Sequence, residues 1–214
     1  MHMDKFELYS YWRSSAAYRV RIALNLKQIE YEQKAVNLLT EQGHPIHFHL
    51  LNPNGLVPVL VHGEVVLNQS LAIMLYLDEQ FPQPSLLPQG NDRYQVIAMA
   101  QDIISDIHPL NNLRVLRYLT NPIGATQEQK GAWYHHWIHA GFEALENRLV
   151  ACAGHYAFGD SVTMLDICLV PQVYNAERFD VDLVRYPIIQ RITEKLRLHP
   201  AFVRALPENQ PDAP

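Results

Sequence analysis

The strongest constraint on the fold is a change of hydrophobic period partway along the chain. Up to about residue 80, short strand-like and helix-like patterns alternate; past a proline-rich break the pattern is helical throughout. Phe6-Glu7-Leu8-Tyr9 alternates as a strand. Ala16, Val20, Ala23 and Leu24 recur at helical spacing between Ala16 and Lys27, and Glu30 to Val36 reads as a second strand. Asn37 to Asn54 is irregular, with Gly43 and Pro45 as breakers. Val57 to Val61 is a third strand, and His62-Gly63-Glu64 turns into a fourth, Val65 to Leu67. Ser70 to Gln80 is a second helix, with Leu71, Met74, Leu75 and Leu77 apolar. The order β-α-β, then β-β-α, predicts one small α/β domain over residues 1–82.

Phe81-Pro82-Gln83-Pro84 and Leu87-Pro88-Gln89-Gly90 stop that helix, so residues 83–91 read as a linker. Residues 92–214 read as an all-α domain, with long helices from about Asp92 to Arg117, interrupted at His108-Pro109 where the proline bends the helix, and from about Thr126 to Val150. A third starts near Thr163. Thr163-Met164-Leu165-Asp166 has the spacing of a reciprocal capping box. The helix behind it, Leu165 to Val173, is apolar almost all round, the pattern of a helix buried in mid-domain. Pro171 should kink it. The tail from Pro207 to Pro214 has three prolines and no apolar face, and is expected to fray.

Composition removes several function classes. A net charge of -5 offers no basic field for nucleic acid. No apolar run approaches the roughly 18 residues of a membrane helix, and MHMDKFELYS, with Asp4 and no long apolar run, does not read as a signal peptide. Cys152 and Cys168 stand apart in apolar company, as two buried thiols of a reducing compartment do. The expected location is the cytoplasm. His135, His136 and His139 are spaced to hold a metal, and His44, His47 and His49 form a second cluster. No carboxylate or cysteine completes either set, so both read as solvated histidine-rich faces with no metal.

Ser14-Ser15-Ala16-Ala17-Tyr18-Arg19-Val20-Arg21-Ile22-Ala23-Leu24 resembles the SSCxWRVRIAL signature of zeta-class glutathione transferases, also called maleylacetoacetate isomerases. Asn52-Pro53, Val57-Pro58 and Gln69-Ser70-Leu71-Ala72-Ile73 match the family's first half, and GDSVTMLDICLVPQVYNAERFDVDL, Gly159 to Leu183, its second. The resemblance spans nearly the whole chain. It implies the glutathione transferase fold: an N-terminal thioredoxin-like domain, a C-terminal helical bundle, a homodimer, and glutathione as cofactor in the cleft between the domains. Two positions depart from the signature, since Ala16 stands where the family has cysteine and Tyr18 where it has tryptophan. A mechanism through a protein thiol at that spot is thereby excluded. The related maleylpyruvate isomerases commonly lack that cysteine too.

The resemblance and the physical chemistry of the residues together select the candidate site. Ser14 and Ser15 stand at the start of the first helix, where free amides and the positive helix end favour an anion. A glutathione sulfur there is stabilised as thiolate. Either serine could donate to it while the other caps the helix, with Ser14 favoured. Val57-Pro58 resembles the cis-proline corner of thioredoxin-like folds, which presents the Val57 backbone to an extended peptide. Gln69-Ser70 opens the second helix and suits the γ-glutamyl carboxylate. The family's loop glutamine falls at Gly43, leaving Gln42 or His44 to replace it. The resemblance also turns His108 and Asn112 toward glutathione. Arg13, Arg114 and Arg178 are the candidates for a substrate with two carboxylates, since arginine binds carboxylates bidentately; for Arg178 the competing reading is an ion pair with Glu177 or Asp166. Asp102 and Asp106 are expected on the same helix as Arg114, too far along it to occupy that arginine.

The implied activity is cis–trans isomerisation of maleylacetoacetate to fumarylacetoacetate, in tyrosine and phenylalanine breakdown, by reversible thiol addition to the double bond. The alternatives are maleylpyruvate isomerisation in gentisate breakdown, general glutathione conjugation or dehalogenation, and a non-catalytic binding protein of the same fold.

Overall fold

The structure, a computed structural model, describes residues 5–39 and 48–214. The candidate replacements Gln42 and His44, the breakers Gly43 and Pro45, and His47 lie outside the described residues. The chain groups into two compact units, Met1–Ser85 with Leu198–Pro214, and Leu86–Arg197.

In the first unit, β1 (Phe6–Ser10), β2 (Tyr31–Ala35), β3 (Val59–His62) and β4 (Val65–Asn68) form one sheet in the order β2-β1-β3-β4. β1 pairs parallel to β2, with Leu8 opposite Gln33, and antiparallel to β3, with Leu8 opposite Leu60; β3 and β4 form a hairpin. The alternation read in the sequence is the alternation of burial: Phe6, Leu8 and Ser10 face inward. Among the described residues up to Ser85, the helices beside the sheet are α1 (Ser15–Leu26), the single turn α2 (Phe48–Leu51) inside the stretch expected to be irregular, and α3 (Ser70–Gln80).

α1 is buried far beyond an apolar stripe, because α3 and the later α9 (Pro200–Ala205) both pack on it. Its polar positions Arg19 and Arg21 are inside, and burial of a guanidinium is tolerable only when its donors are met. Arg21 donates through Nε to Ala205 O, through Nη1 to Ser10 Oγ and through Nη2 to Trp12 O, at 3.0–3.1 Å.

The tail is a correction. A 3-10 turn spans Pro207–Asn209, Gln210 is buried and donates to Arg204 O and Leu206 O, and Asp212 bonds to Trp12 and Gln33. Backbone carbonyls and amides, rather than an apolar face, hold it. The segment from Leu198 onward therefore groups with the first unit, where the sequence reading placed all of 92–214 in the helical domain.

The second unit holds α4 (Asp92–Gln101), α5 (Leu113–Thr120), α6 (Gln127–Cys152), α7 (Met164–Arg178) and α8 (Pro187–Leu196). The helix expected from Asp92 to Arg117 with a bend at His108-Pro109 is broken outright there. After α4 the chain widens into a π-helical turn, Asp102–Ile107, passes His108 to Asn112 as turns, and restarts as α5. Pro109 has no N–H and its ring blocks an i−4 carbonyl, so the α ladder cannot continue there. Hence Arg114 does not share a helix with Asp102 and Asp106. α6 passes the π-helical turn closely at Gly141, where a Cβ would collide with the Ile107 side chain.

α7 is the buried centre expected. Every residue from Met164 to Val173 is buried, α4 and α8 pack against it, and it continues through Pro171 to Arg178. Its start is the capping box: Asp166 Oδ2 accepts from Thr163 N–H at 2.8 Å and Thr163 Oγ1 at 3.0 Å, and Oδ1 accepts from Ala157 N–H at 2.8 Å. Cys168 is buried as expected, but Cys152 is only half-buried. No helix among the described residues is long and apolar enough to cross a membrane.

Candidate active site

Ser14 ends the loop between β1 and α1. Its N–H donates to Tyr11 O at 2.9 Å, and its Oγ accepts from Ala17 N–H at 3.2 Å, which makes it the N-cap of α1. A serine hydroxyl that accepts one bond still has its own hydrogen to give. Ser14 is half-exposed, so that hydrogen can turn to an anion beyond the helix end; Ser15, the first helical residue, is buried. The two serines, indistinguishable as neighbours in sequence, are separated by burial. No acidic side chain lies in the first turn of α1 to offset its positive end. Arg13 lays its guanidinium over the Trp12 ring, 5.1 Å from the centroid, and meets no carboxylate among the described residues.

The Val57-Pro58 peptide bond is cis, as the resemblance implied. The Val57 main chain has no hydrogen-bond partner among the described residues, so it is available to an added strand. Asn52, buried, holds this corner: its Nδ2 donates to Leu56 O at 2.7 Å, and its Oδ1 accepts from Asn68 Nδ2 at 3.1 Å. One amide thus joins the residue before Val57 to the residue before Gln69.

Gln69, rather than Ser70, is the N-cap of α3, and its side chain makes no cap bond. Its φ of +68° is a left-handed value that a non-glycine residue adopts at a cost of about 1–3 kcal/mol. Such conformations persist where the surroundings enforce them, commonly at ligand sites. Ser70 is the buried first residue, with Oγ accepting from Arg19 Nη1 at 3.3 Å. Arg19, which the sequence reading did not single out, so links α1 to the start of α3. A charged residue inside an apolar helix face was the available signal. The structure therefore brings Arg13, Ser14 and Ser15 to one end of α1, and joins Gln69 and Ser70 to that helix through Arg19 and to the Val57-Pro58 corner through Asn52.

The remaining candidates belong to the second unit and gather around one turn of α6. His108, half-exposed, closes the π-helical turn with its N–H on Ile103 O at 2.9 Å. Asn112 caps α5, its Oδ1 accepting from Arg114 N–H at 3.1 Å, which leaves the Arg114 side chain exposed with no carboxylate partner among the described residues. Trp133 Nε1 donates to Leu110 O at 2.9 Å, Asn111 Nδ2 donates to Tyr134 O at 3.3 Å, and His135 Nε2 lies 2.6 Å from Phe179 O. Tyr134 stacks on Phe179 at 3.8 Å, and burial raises its phenol above the ordinary range against the pull of Arg178. Arg178 donates to Asn175 Oδ1 at 3.3 Å and lies over Phe179, 5.5 Å from its centroid. Of the two carboxylates weighed from sequence as its partners, Glu177 is paired with Arg197 and Asp166 serves the cap. Residues 133–135 are thus the shared support of the segment before Arg114 and of the end of α7.

That support corrects the histidine reading. His135 and His139 are half-buried ties, His139 Nδ1 lying 2.7 Å from Tyr186 Oη, while His136 is exposed. Burial and the charge of Arg185 hold His139 below the usual histidine range.

Residues 8–85 match the model of the glutathione S-transferase N-terminal domain. The chain is 59% identical over 209 residues to a probable maleylacetoacetate isomerase of Vibrio cholerae, spanning 96% of this chain and 97% of that one. It is 46% identical, at a TM-score of 0.94, to the holo structure of a maleylpyruvate isomerase described as a bacterial zeta-class glutathione S-transferase, spanning 97% of this chain and 100% of that one. A maleylacetoacetate isomerase from Anaeromyxobacter dehalogenans, with dicarboxyethyl glutathione and citrate bound in its active site, is 38% identical at a TM-score of 0.89, spanning 100% of both chains. Full-length identity of this order, on a chain that builds the cis-proline corner and both helix starts from its own residues, places it in the glutathione S-transferase family, in the zeta class with the maleylacetoacetate isomerases.

Proposed function

We propose that this chain is a glutathione-dependent isomerase that converts the cis double bond of a maleyl diacid, maleylacetoacetate, to trans. The observation that carries the reading is the half-exposed Ser14 hydroxyl at the acid-free N-terminus of α1. The residues fit glutathione. The Val57 main chain, without a hydrogen-bond partner among the described residues, suits its peptide backbone, and the first turn of α3, behind Gln69, suits its γ-glutamyl carboxylate. Bound glutathione supplies the thiol that adds reversibly to the double bond, which then turns as a single bond before the thiol leaves. Ser14 donates to the sulfur and, with the end of α1, favours its ionised form. Arg13, Arg114 and Arg178 take the carboxylates of the diacid and offset repulsion between three negative charges. The same arginines stabilise the enolate charge that develops on the substrate. His108 and Asn112 are assigned to glutathione, as the resemblance implied.

The reading is supported by the relative that holds dicarboxyethyl glutathione, a thioether with the carbon skeleton that thiol addition to a four-carbon diacid would give. Isomerisation should need glutathione in catalytic rather than stoichiometric amount; full activity in thiol-free buffer overturns it. A second reading, maleylpyruvate as substrate, is favoured by the 46% identity to a maleylpyruvate isomerase and by Ala16 at the signature cysteine position. Parallel assays of the two maleyl substrates separate the readings. We place the enzyme in the cytoplasm, in keeping with two free cysteines, and assign it a homodimer, in keeping with exposed Val65 and Val66 on edge strand β4. Light scattering tests the dimer.

A further inference from the structure

The loop that carries Arg13 and Ser14 is held from the far end of the chain. Both main-chain groups of Trp12 are engaged by ionised side chains. Its N–H donates to Asp212 Oδ2 at 2.9 Å, and its carbonyl accepts from Arg21 Nη2 at 3.0 Å. The second Asp212 oxygen, Oδ1, accepts from Gln33 Nε2 of β2 at 2.8 Å. The tail that bears Asp212 is fixed in turn. Gln210 is 7% exposed and donates to Arg204 O at 3.0 Å and Leu206 O at 2.7 Å, and Ala213 N–H donates to Gln210 O at 3.0 Å. Bonds to ionised groups are stronger and more directional than neutral ones. Trp12 is therefore pinned in a way that an ordinary loop residue is not.

Two residues on, Ser14 N–H donates to Tyr11 O at 2.9 Å, closing a turn with Trp12 and Arg13 at its centre. The Arg13 guanidinium rests on the Trp12 ring. Wherever Trp12 is held, the Ser14 hydroxyl and the Arg13 fork follow.

We propose that Asp212 is a positioning residue for the glutathione-dependent reaction: by holding Trp12 N–H it sets the Tyr11–Ser14 turn, and with it the hydroxyl that meets the thiol. It touches neither cofactor nor substrate. The proposal rests on the reading of Ser14 given above. Displacement of about 1 Å in a positioned group can cost a large rate factor, so a single remote bond is enough to matter.

The experiment compares three full-length variants. Asp212→Ala removes the acceptor. Asp212→Asn keeps an acceptor for Trp12, and its amide can pair with Gln33 once that side chain turns over, so position survives while charge is lost. Asn209→Ala breaks a different tail bond, Asn209 Nδ2 to Val203 O at 2.7 Å, and leaves Trp12 alone. Three quantities are read: the thiol pKa of bound glutathione from its ultraviolet thiolate absorbance, kcat and KM for the diacid, and the melting temperature. Asp212→Ala should raise the bound thiol pKa and lower kcat about three- to tenfold, the rate equivalent of one ordinary hydrogen bond. Asp212→Asn should stay within about twofold of wild type, and Asn209→Ala should move the melting temperature alone.

Asp212→Ala without effect on thiol pKa and kcat overturns the proposal. So does Asn209→Ala reproducing the kinetic loss, because the tail would then be only a fold anchor. Should Asp212→Ala not fold, Gln33→Ala frees the other side of the same carboxylate, and a smaller rise in thiol pKa is expected; no rise overturns the proposal. The thiol titration needs glutathione alone. A wild-type enzyme that lowers the thiol pKa yet leaves maleyl diacids unchanged sinks the substrate reading while the Asp212 test still stands.

Discussion

Ser14 shows what one residue can and cannot disclose. A serine pair before an apolar helix reads as a cap and an anion site, but only burial decides which hydroxyl is available, and here Ser14 both caps and remains half-exposed. Ser14→Ala should lose a hydrogen bond to a charged sulfur, worth about 1.5–3 kcal/mol, or roughly ten- to a hundredfold in rate if fully expressed in the transition state. It also loses the cap, worth about 1 kcal/mol of stability. Steady-state rates beside a denaturant melt separate the two. The cysteines give the contrast. Burial pushes the Cys152 thiol up, away from the reactive thiolate, and Cys168 is buried. Replacing both by alanine should leave the glutathione-dependent rate within a few-fold, as a steady-state assay would read. A cysteine variant that folds but is inactive, beside an active Ser14→Ala, would sink the thiol-of-glutathione mechanism.

Among the elements, α7 was the most legible because two local signals agreed: the Thr163–Asp166 spacing and an apolar run with no polar face. The cap has a pH consequence. Burial pushes the Asp166 carboxyl up to about 6 from 3.8, against the bonds from Ala157 and Thr163 that lower it. Between those values the folded chain keeps a proton that the unfolded chain has released. The contribution of Asp166 to stability is therefore greatest below the lower value and is lost as pH rises through about 6. The span corresponds to stability on the order of 2–3 kcal/mol. Asp166→Asn should flatten the dependence of unfolding free energy on pH across this window. An unchanged slope in urea melts would assign the dependence to other groups. Asp166→Ala should instead cost about 2–4 kcal/mol at neutral pH, since the Ala157 and Thr163 amides lose their acceptor. The α4–α5 region was less legible. Pro109 marks where the α ladder must stop, but periodicity ran on past Ile107, and the π-helical register of Asp102–Ile107 before it has no residue signature of its own.

At the scale of the molecule, the candidate residues are divided between two units, with Arg13, Ser14, Val57-Pro58 and Gln69-Ser70 in the first and His108, Asn112, Arg114 and Arg178 in the second. Arg114 is exposed, without a carboxylate partner among the described residues, on a helix start that Asn112 fixes. Arg114→Lys keeps the charge and loses the planar fork. It should raise KM for the diacid while the glutathione Kd stays nearly constant. Steady-state kinetics paired with calorimetric titration checks this, and weakened glutathione binding at an unchanged diacid KM would reassign Arg114 to the cofactor.

The sequence by itself determined the four strands, α1 and α3 of the first unit and the capping box of α7. All of these rest on contacts a few residues apart or on periodicity, which the chain carries locally. Tertiary structure alone decided the rest. It buried Arg19 and Arg21 in α1, because α3 and α9 both pack on that helix and bring Ser70 to Arg19 and Ala205 to Arg21. It gave the proline-rich tail an anchor at Asp212, and it made Asn52 the joint between Val57 and Gln69. A buried polar side chain such as Arg21 is satisfied by a partner 184 positions away, and no local pattern records which partner will arrive.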